Sequence, residues 1–167
     1  VNLFESDISK SMKDLKSWGL RIPDSAYGKV NSDADFLALS EGTMYGIECK
    51  MNTSGGKSFN FNCVSESQIE GLTEIVREGG QGYIIFNFRW MGSGNTKGKV
   101  FAITILEYLY LRYAFPNAEK FIEEYPNNDK SIPLEYFQKE TLEVPKLPLE
   151  QGGYGWDLRV LFERGRR

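Results

Sequence analysis

Apolar residues recur every three or four positions at the start of the chain, at Phe4, Ile8, Met12 and Leu15. That spacing predicts an amphipathic helix from Phe4 to Trp18, with Gly19 as its C-terminal stop. The period then shortens to two. Asp35 to Leu39 and Met44 to Met51 read as strands, joined by the polar turn Ser40-Glu41-Gly42-Thr43 into a hairpin. Residues 59–64, "FNFNCV", alternate as a third strand segment. Ser65 then opens a helix to Arg77, with Ile69, Leu72, Ile75 and Val76 inward and Gly79-Gly80 ending it.

Tyr83 to Phe88, "YIIFNF", is a continuous apolar run of the kind that fills the middle of a sheet covered on both faces. "KVFAIT", residues 99–104, is the next strand, and Thr104 with Glu107 forms a capping-box pattern opening a helix through Tyr113, stopped before Pro116. A short helical piece near Ala118 to Tyr125 follows. From about residue 126 the pattern is that of a C-terminal tail, irregular except for a helix start in "SIPLEYF". This order of elements predicts an α/β fold, a mixed β-sheet flanked by helices, and 167 residues suit a single domain.

Composition narrows the chemistry. The longest apolar run, Val100 to Phe115, is interrupted by Glu107 and Arg112 and is too short to cross a bilayer, so no membrane association is expected. The first ten residues carry no secretion-signal pattern, and two cysteines, Cys49 and Cys63, suit free thiols in a reducing cytoplasm. Histidine is absent, which excludes Ser-His-Asp and Cys-His machinery and every His-ligated metal site. A net charge of −3 and a pI near 5.2 argue against an indiscriminate nucleic-acid coat protein.

The hairpin raises a question of charge. If it closes symmetrically over residues 40–43, Leu39 faces Met44, and counting outward places Asp35 opposite Glu48, with Cβ atoms ~4.5–5.5 Å apart. Lys50 shares the Glu48 face, because alternate residues on a strand point the same way. Two carboxylates this close repel unless a cation intervenes. Mg²⁺ is one candidate, since it takes a few carboxylate oxygens and keeps waters for a phosphate substrate. A structural ion triad on a hairpin is the alternative.

These residues carry a resemblance. Aspartate followed, a hairpin later, by Glu-x-Lys ("ECK") resembles the core of the PD-(D/E)xK nuclease superfamily, with Ala34 in place of the usual proline. "FESDI", "SFNFNCVSESQIEGL", "GGQGYIIFNF", "KSIPLEYF" and "WDLRVLF" resemble, in order and over nearly the whole chain, the RecU family of Holliday-junction resolvases of Gram-positive bacteria and their phages. "RIPDS" with "DFLALSEGTMYGIECK" is also similar to archaeal Hjc.

The resemblance implies a restriction-endonuclease-like fold and a metal-dependent endonuclease that makes paired nicks in four-way DNA junctions during recombination. It implies Asp35, Glu48 and the main-chain carbonyl of Cys49 as ligands of Mg²⁺, with Mn²⁺ able to substitute, and Lys50 as the catalytic lysine. Glu5 matches the family's first-helix glutamate. At about 100° per residue it lies about 60° from Ile8, on the border of the buried stripe, whereas Asp7 points away. Gln68 matches a glutamine opening the second helix near the active site, and Ser65 to Gln68 is also a capping box. Arg21 and Ser25 fall where resolvases place polar groups near the scissile phosphate, and Lys29 and Lys57 lie in loops suited to DNA phosphates.

Phe59, Phe61, Phe86, Phe88 and Trp90 alternate in strands, which favours core packing over base stacking. The implied partners are branched DNA, a second copy of the chain and other recombination proteins. Two features depart from the family: only Gly19 to Ala34 fills the interval where RecU proteins carry a long basic stalk, so a full-length stalk does not fit, and the basic amino-terminal region expected of the family does not appear in this sequence. Two further readings therefore stay open, a noncatalytic DNA- or recombinase-binding module and a nuclease for branched or linear DNA.

Overall fold

A computed structural model describes residues 3–15, 18–22, 34–91, 98–114, 123–126 and 130–164. Helix α1 (Leu3–Asp14) buries Phe4, Ile8 and Met12 along the predicted stripe. It stops short of the expected Trp18, because the chain turns back into a strand, β1 (Trp18–Arg21), antiparallel to β2 (Phe36–Ser40). Gly19 is therefore no helix stop. It lets β1 lie against α1, since a Cβ there would stand 2.8 Å from the Met12 sulfur.

The hairpin of β2 and β3 (Thr43–Asn52) has the expected register, with Leu39 opposite Met44 and Ser40 opposite Thr43. Its two-residue turn puts both Glu41 and Gly42 at positive φ (49° and 81°), the geometry that matches strand twist. After β3 come a short strand, β4 (Ser58–Asn60), a 3₁₀ turn at Phe61–Cys63 and helix α2 (Glu66–Arg77). The expected third strand is thus only its first half, because Asn60 caps the 3₁₀ turn by accepting from the Asn62 N–H (2.8 Å).

Strand β5 (Gln81–Phe88) runs parallel to β3, and β6 (Lys99–Thr104) returns antiparallel. Helix α3 (Ile105–Leu109) begins at the Thr104–Glu107 capping box and continues as a π-helical turn, Tyr110–Ala114. Beyond it lie β7 (Ser131–Pro133), α4 (Leu134–Glu140), β8 (Leu142–Val144), β9 (Lys146–Pro148), β10 (Tyr154–Trp156) and α5 (Arg159–Arg164). The main sheet has the order β1-β2-β3-β5-β6-β8 and is mixed, as expected.

Two apolar layers cover the sheet. One joins Phe4, Ile8 and Met12 of α1 to Phe36, Ile47 and Ile85, and to Leu161 and Phe162 of α5. The other joins Ile69 and Leu72 of α2 to Ile84, Phe86 and Phe88, with Phe59 and Phe137. Phe59 sits 4.8 and 4.9 Å from the rings of Phe86 and Phe88, so these aromatics are core. The carboxyl-terminal stretch is woven in and is no loose tail. Strand β8 closes the sheet edge beside β6, and the Tyr45 and Tyr83 hydroxyls donate to the Phe162 and Leu161 carbonyls, each at 3.2 Å. Among the described residues no helix is long and apolar enough to cross a membrane.

Glycines set how closely α2 lies on β3 and β5. A Cβ at Gly82 would stand 2.9 Å from the Leu72 carbonyl oxygen, whereas one at Gly46 would meet only the tips of Ile75 and Leu72. Backbone cannot yield as side-chain ends do. Gly82→Ala should therefore cost about 1–3 kcal/mol, more than Gly46→Ala, in urea unfolding at unchanged m.

Candidate active site

Glu48 lies in the middle of β3, between Ile47 and Cys49, and its residue is only 2% exposed. Strand alternation aims Ile47 and Cys49 at the α1 layer, which turns Glu48 and Lys50 toward α2. Burial of a carboxylate here demands partners. Lys50 Nζ stands 2.7 Å from Glu48 Oε1, and Gln68 Nε2 donates to the same oxygen at 2.6 Å. Lys50 Nζ also donates to Gln68 Oε1 at 3.0 Å, closing a triangle of three side chains.

Gln68 reaches this triangle from the first turn of α2 while serving as the helix cap. Its Oε1 accepts from the Ser65 N–H at 3.0 Å, and its own N–H donates to Ser65 Oγ at 3.3 Å. The anticipated capping box is formed, and the same side chain contacts Lys50 and Glu48. A glutamate would complete the same capping box but would bring a second carboxylate to Glu48. The amide supplies the donor that Glu48 needs.

Asp35 sits just outside β2 and is not strictly opposite Glu48. Its N–H donates to the Ile47 carbonyl (3.1 Å), although Ile47 is already the register partner of Phe36, so the pairing closes there and does not advance to Glu48. Beyond that point the Cys49 N–H has no β2 backbone beside it. Asp35 Oδ2 accepts it at 2.7 Å, which folds the carboxylate onto the main chain of β3.

Glu5 is buried on the border of α1, as its angular position predicts, and accepts from Arg21 Nη2 at 2.8 Å. Asp7, expected to point away, pairs with Lys10 and with Arg89 (3.9 and 3.6 Å). The Glu5–Arg21 contact was not legible in the sequence, because strand β1 was not. Lys57 is exposed and lines a separate cavity of about 610 Å³ with Trp90 and Leu134, away from the triangle. Ser25 and Lys29 lie outside the described residues.

The electrostatics single out Glu48. Burial, with the charges of Asp35 and Glu5, raises its carboxyl from 4.5 to about 7, against the opposing pull of Lys50. Its second oxygen, Oε2, is buried and has no hydrogen-bond partner among the described residues. Among the described residues no three Asp, Glu, Cys or His side chains form a ready cation cage. The donor set is instead two carboxylates, Asp35 and Glu48, with Asp35 held on the N–H of the residue that follows Glu48. An orphaned carboxylate oxygen with few side-chain ligands fits Mg²⁺, which retains much of its water shell.

No protein-family model and no curated protein matches the sequence. The fold is similar to that of Hjc from Archaeoglobus fulgidus, a Holliday junction resolvase from an archaeal hyperthermophile, with a TM-score of 0.51 at 15% identity. The match covers 84% of this chain and 93% of that one, so the likeness in fold spans most of both.

The raised Glu48 carboxyl makes stability depend on pH. Below 4.5 it is protonated folded or unfolded; between 4.5 and about 7 the unfolded chain ionises first, so stability present at low pH is lost across that window. The difference of roughly 2.5 units corresponds to about 3 kcal/mol. In EDTA, Glu48→Gln should therefore match the native protein at pH 4 and exceed it by about 3 kcal/mol at pH 8, read by urea denaturation. Gln68→Glu should retain the cap yet lose about 1–3 kcal/mol at pH 8, recovering as the pH falls.

Proposed function

We propose that this protein is a metal-dependent DNA endonuclease selective for branched structures, most simply a Holliday-junction resolvase that nicks four-way junctions in pairs as a homodimer. The observation that carries the reading is the buried Glu48–Lys50–Gln68 triangle, with an unpartnered Glu48 oxygen beside Asp35, on a fold similar to that of a resolvase. A cytoplasmic setting, bacterial or phage-encoded, belongs to the same proposal.

Asp35 and Glu48, with the Cys49 carbonyl, would hold Mg²⁺ or Mn²⁺. A divalent cation there supplies charge neutralisation to a phosphodiester under attack and makes water acidic enough to act as nucleophile. The chain's own residues do the positioning. Lys50 presents a cation 2.7 Å from Glu48, where it can donate to a phosphate oxygen or orient water as negative charge grows. Gln68 restricts both side chains to one arrangement, so little reorganisation accompanies the reaction. Arg21 offsets Glu5 on the opposite side, which limits the negative field that an approaching phosphate meets.

Glu48→Gln and Asp35→Asn should each lower cleavage of a synthetic four-way junction by at least about a hundredfold in Mg²⁺ while leaving junction binding largely intact. The panel is a four-way junction, a three-way fork and linear duplex, each in Mg²⁺ and in EDTA. Full cleavage by Glu48→Gln would refute the nuclease reading. Equal cutting of all three substrates would refute junction selectivity alone.

A further inference from the structure

Next to Lys50 the surface opens into a cleft of about 310 Å³, between the end of β3 and the segment from β4 to the 3₁₀ turn. Among the described residues none of the side chains lining it is an acid, in a chain that has 23 acidic residues against 20 basic. Lys50 stands at one end, and Thr53, Ser54, Ser58 and Asn60 line it with hydroxyl and amide groups. Cys63 forms part of the wall that Lys50 shares. The cleft is therefore continuous with the reactive cluster.

The rim is held in place before any ligand arrives. Asn52 Nδ2 donates to the carbonyls of Gly56 (3.2 Å) and Ser58 (3.4 Å), and its Oδ1 accepts from the N–H and the hydroxyl of Ser54 (3.1 and 3.2 Å). One half-buried amide thus pins both ends of the β3–β4 loop. Phe59, the aromatic at the floor, is 6% exposed and has its ring committed to Phe86 and Phe88. It offers no face for a base to stack on. Both ends of the Asn52 amide and the Oδ1 of Asn60 are already committed within the rim, so among the described lining residues no side-chain amide is left whole to read a base edge, and the size, the lining without acids and the Lys50 cation suit a sugar–phosphate unit.

We infer that this cleft holds the sugar–phosphate of one nucleotide adjoining the cleaved phosphodiester, without reading its base. The inference rests on the nuclease reading. It makes the cleft a source of affinity that is neutral to sequence on that side of the cut.

The test uses the four deoxynucleoside 3′,5′-bisphosphates, bound in EDTA at about 0.15 M salt, where charge effects fade beyond roughly 8 Å. Binding is read from amide chemical shifts of the full chain. All four should bind within threefold of one another and shift Thr53, Ser54 and Asn60. Ser54→Asp should weaken them at least fivefold, whereas the equally sized Ser54→Asn should stay within twofold. No binding, a base preference above threefold, equal behaviour of the two variants, or shifts confined to the cavity around Trp90 would each overturn the inference. Because no turnover is involved, failure here with Glu48-dependent cleavage retained removes the cleft assignment alone. Bisphosphate binding by a protein that cuts no DNA would overturn the nuclease reading, and with it any cleaved strand for the cleft to hold.

Discussion

The site depends on keeping one carboxylate, Glu48, inside the sheet. Desolvation works against its charged form, and the nearby Asp35 and Glu5 add to that penalty. Lys50 and Gln68 offset it by converging on a single oxygen, Oε1, and the other oxygen is left without a partner. That imbalance is informative. A purely structural ion pair gains from satisfying both oxygens, and a group left half-satisfied costs stability that a bound cation would return.

Several distant features become intelligible as supports for that carboxylate. Gln68 reaches it only because α2 starts at Ser65, and the helix lies close enough because Gly46 and Gly82 carry no side chain against it. The parallel pairing of β3 with β5, Glu48 beside Ile84, buries the strand in which the acid sits. Removal of the α2 contacts would thus alter the chemistry of β3 without touching any residue in it. One side chain serves both as helix cap and as hydrogen-bond donor, so local and long-range requirements agree at this position.

Charge is organised locally and not by the molecule's net balance. The chain is acidic, yet Arg21 answers Glu5, Arg89 faces Asp7, and Lys50 lines a cleft that has no acid among its described residues. A polyanion approaching that face meets a different field from the one that an average over the surface would suggest. An acidic pI is therefore compatible with a nucleic-acid substrate here.

The hairpin register, the face shared by Glu48 and Lys50, the burial of Glu5 and the capping boxes at Ser65 and Thr104 were all set by sequence alone. Each depends on periodicity or on contacts a few residues apart. Strand β1, the weaving of β8 and α5 into the core, the Glu5–Arg21 pair and the turning of Asp35 onto the Cys49 peptide were decided only by the tertiary structure. Those features join segments between 14 and more than 100 residues apart, as in Tyr45 with Phe162. Their partners are selected by the sheet's order and by space left between layers, which no local pattern records. Glu-x-Lys marks where the buried charged groups stand along the chain; how their charges are balanced is a property of the packed fold.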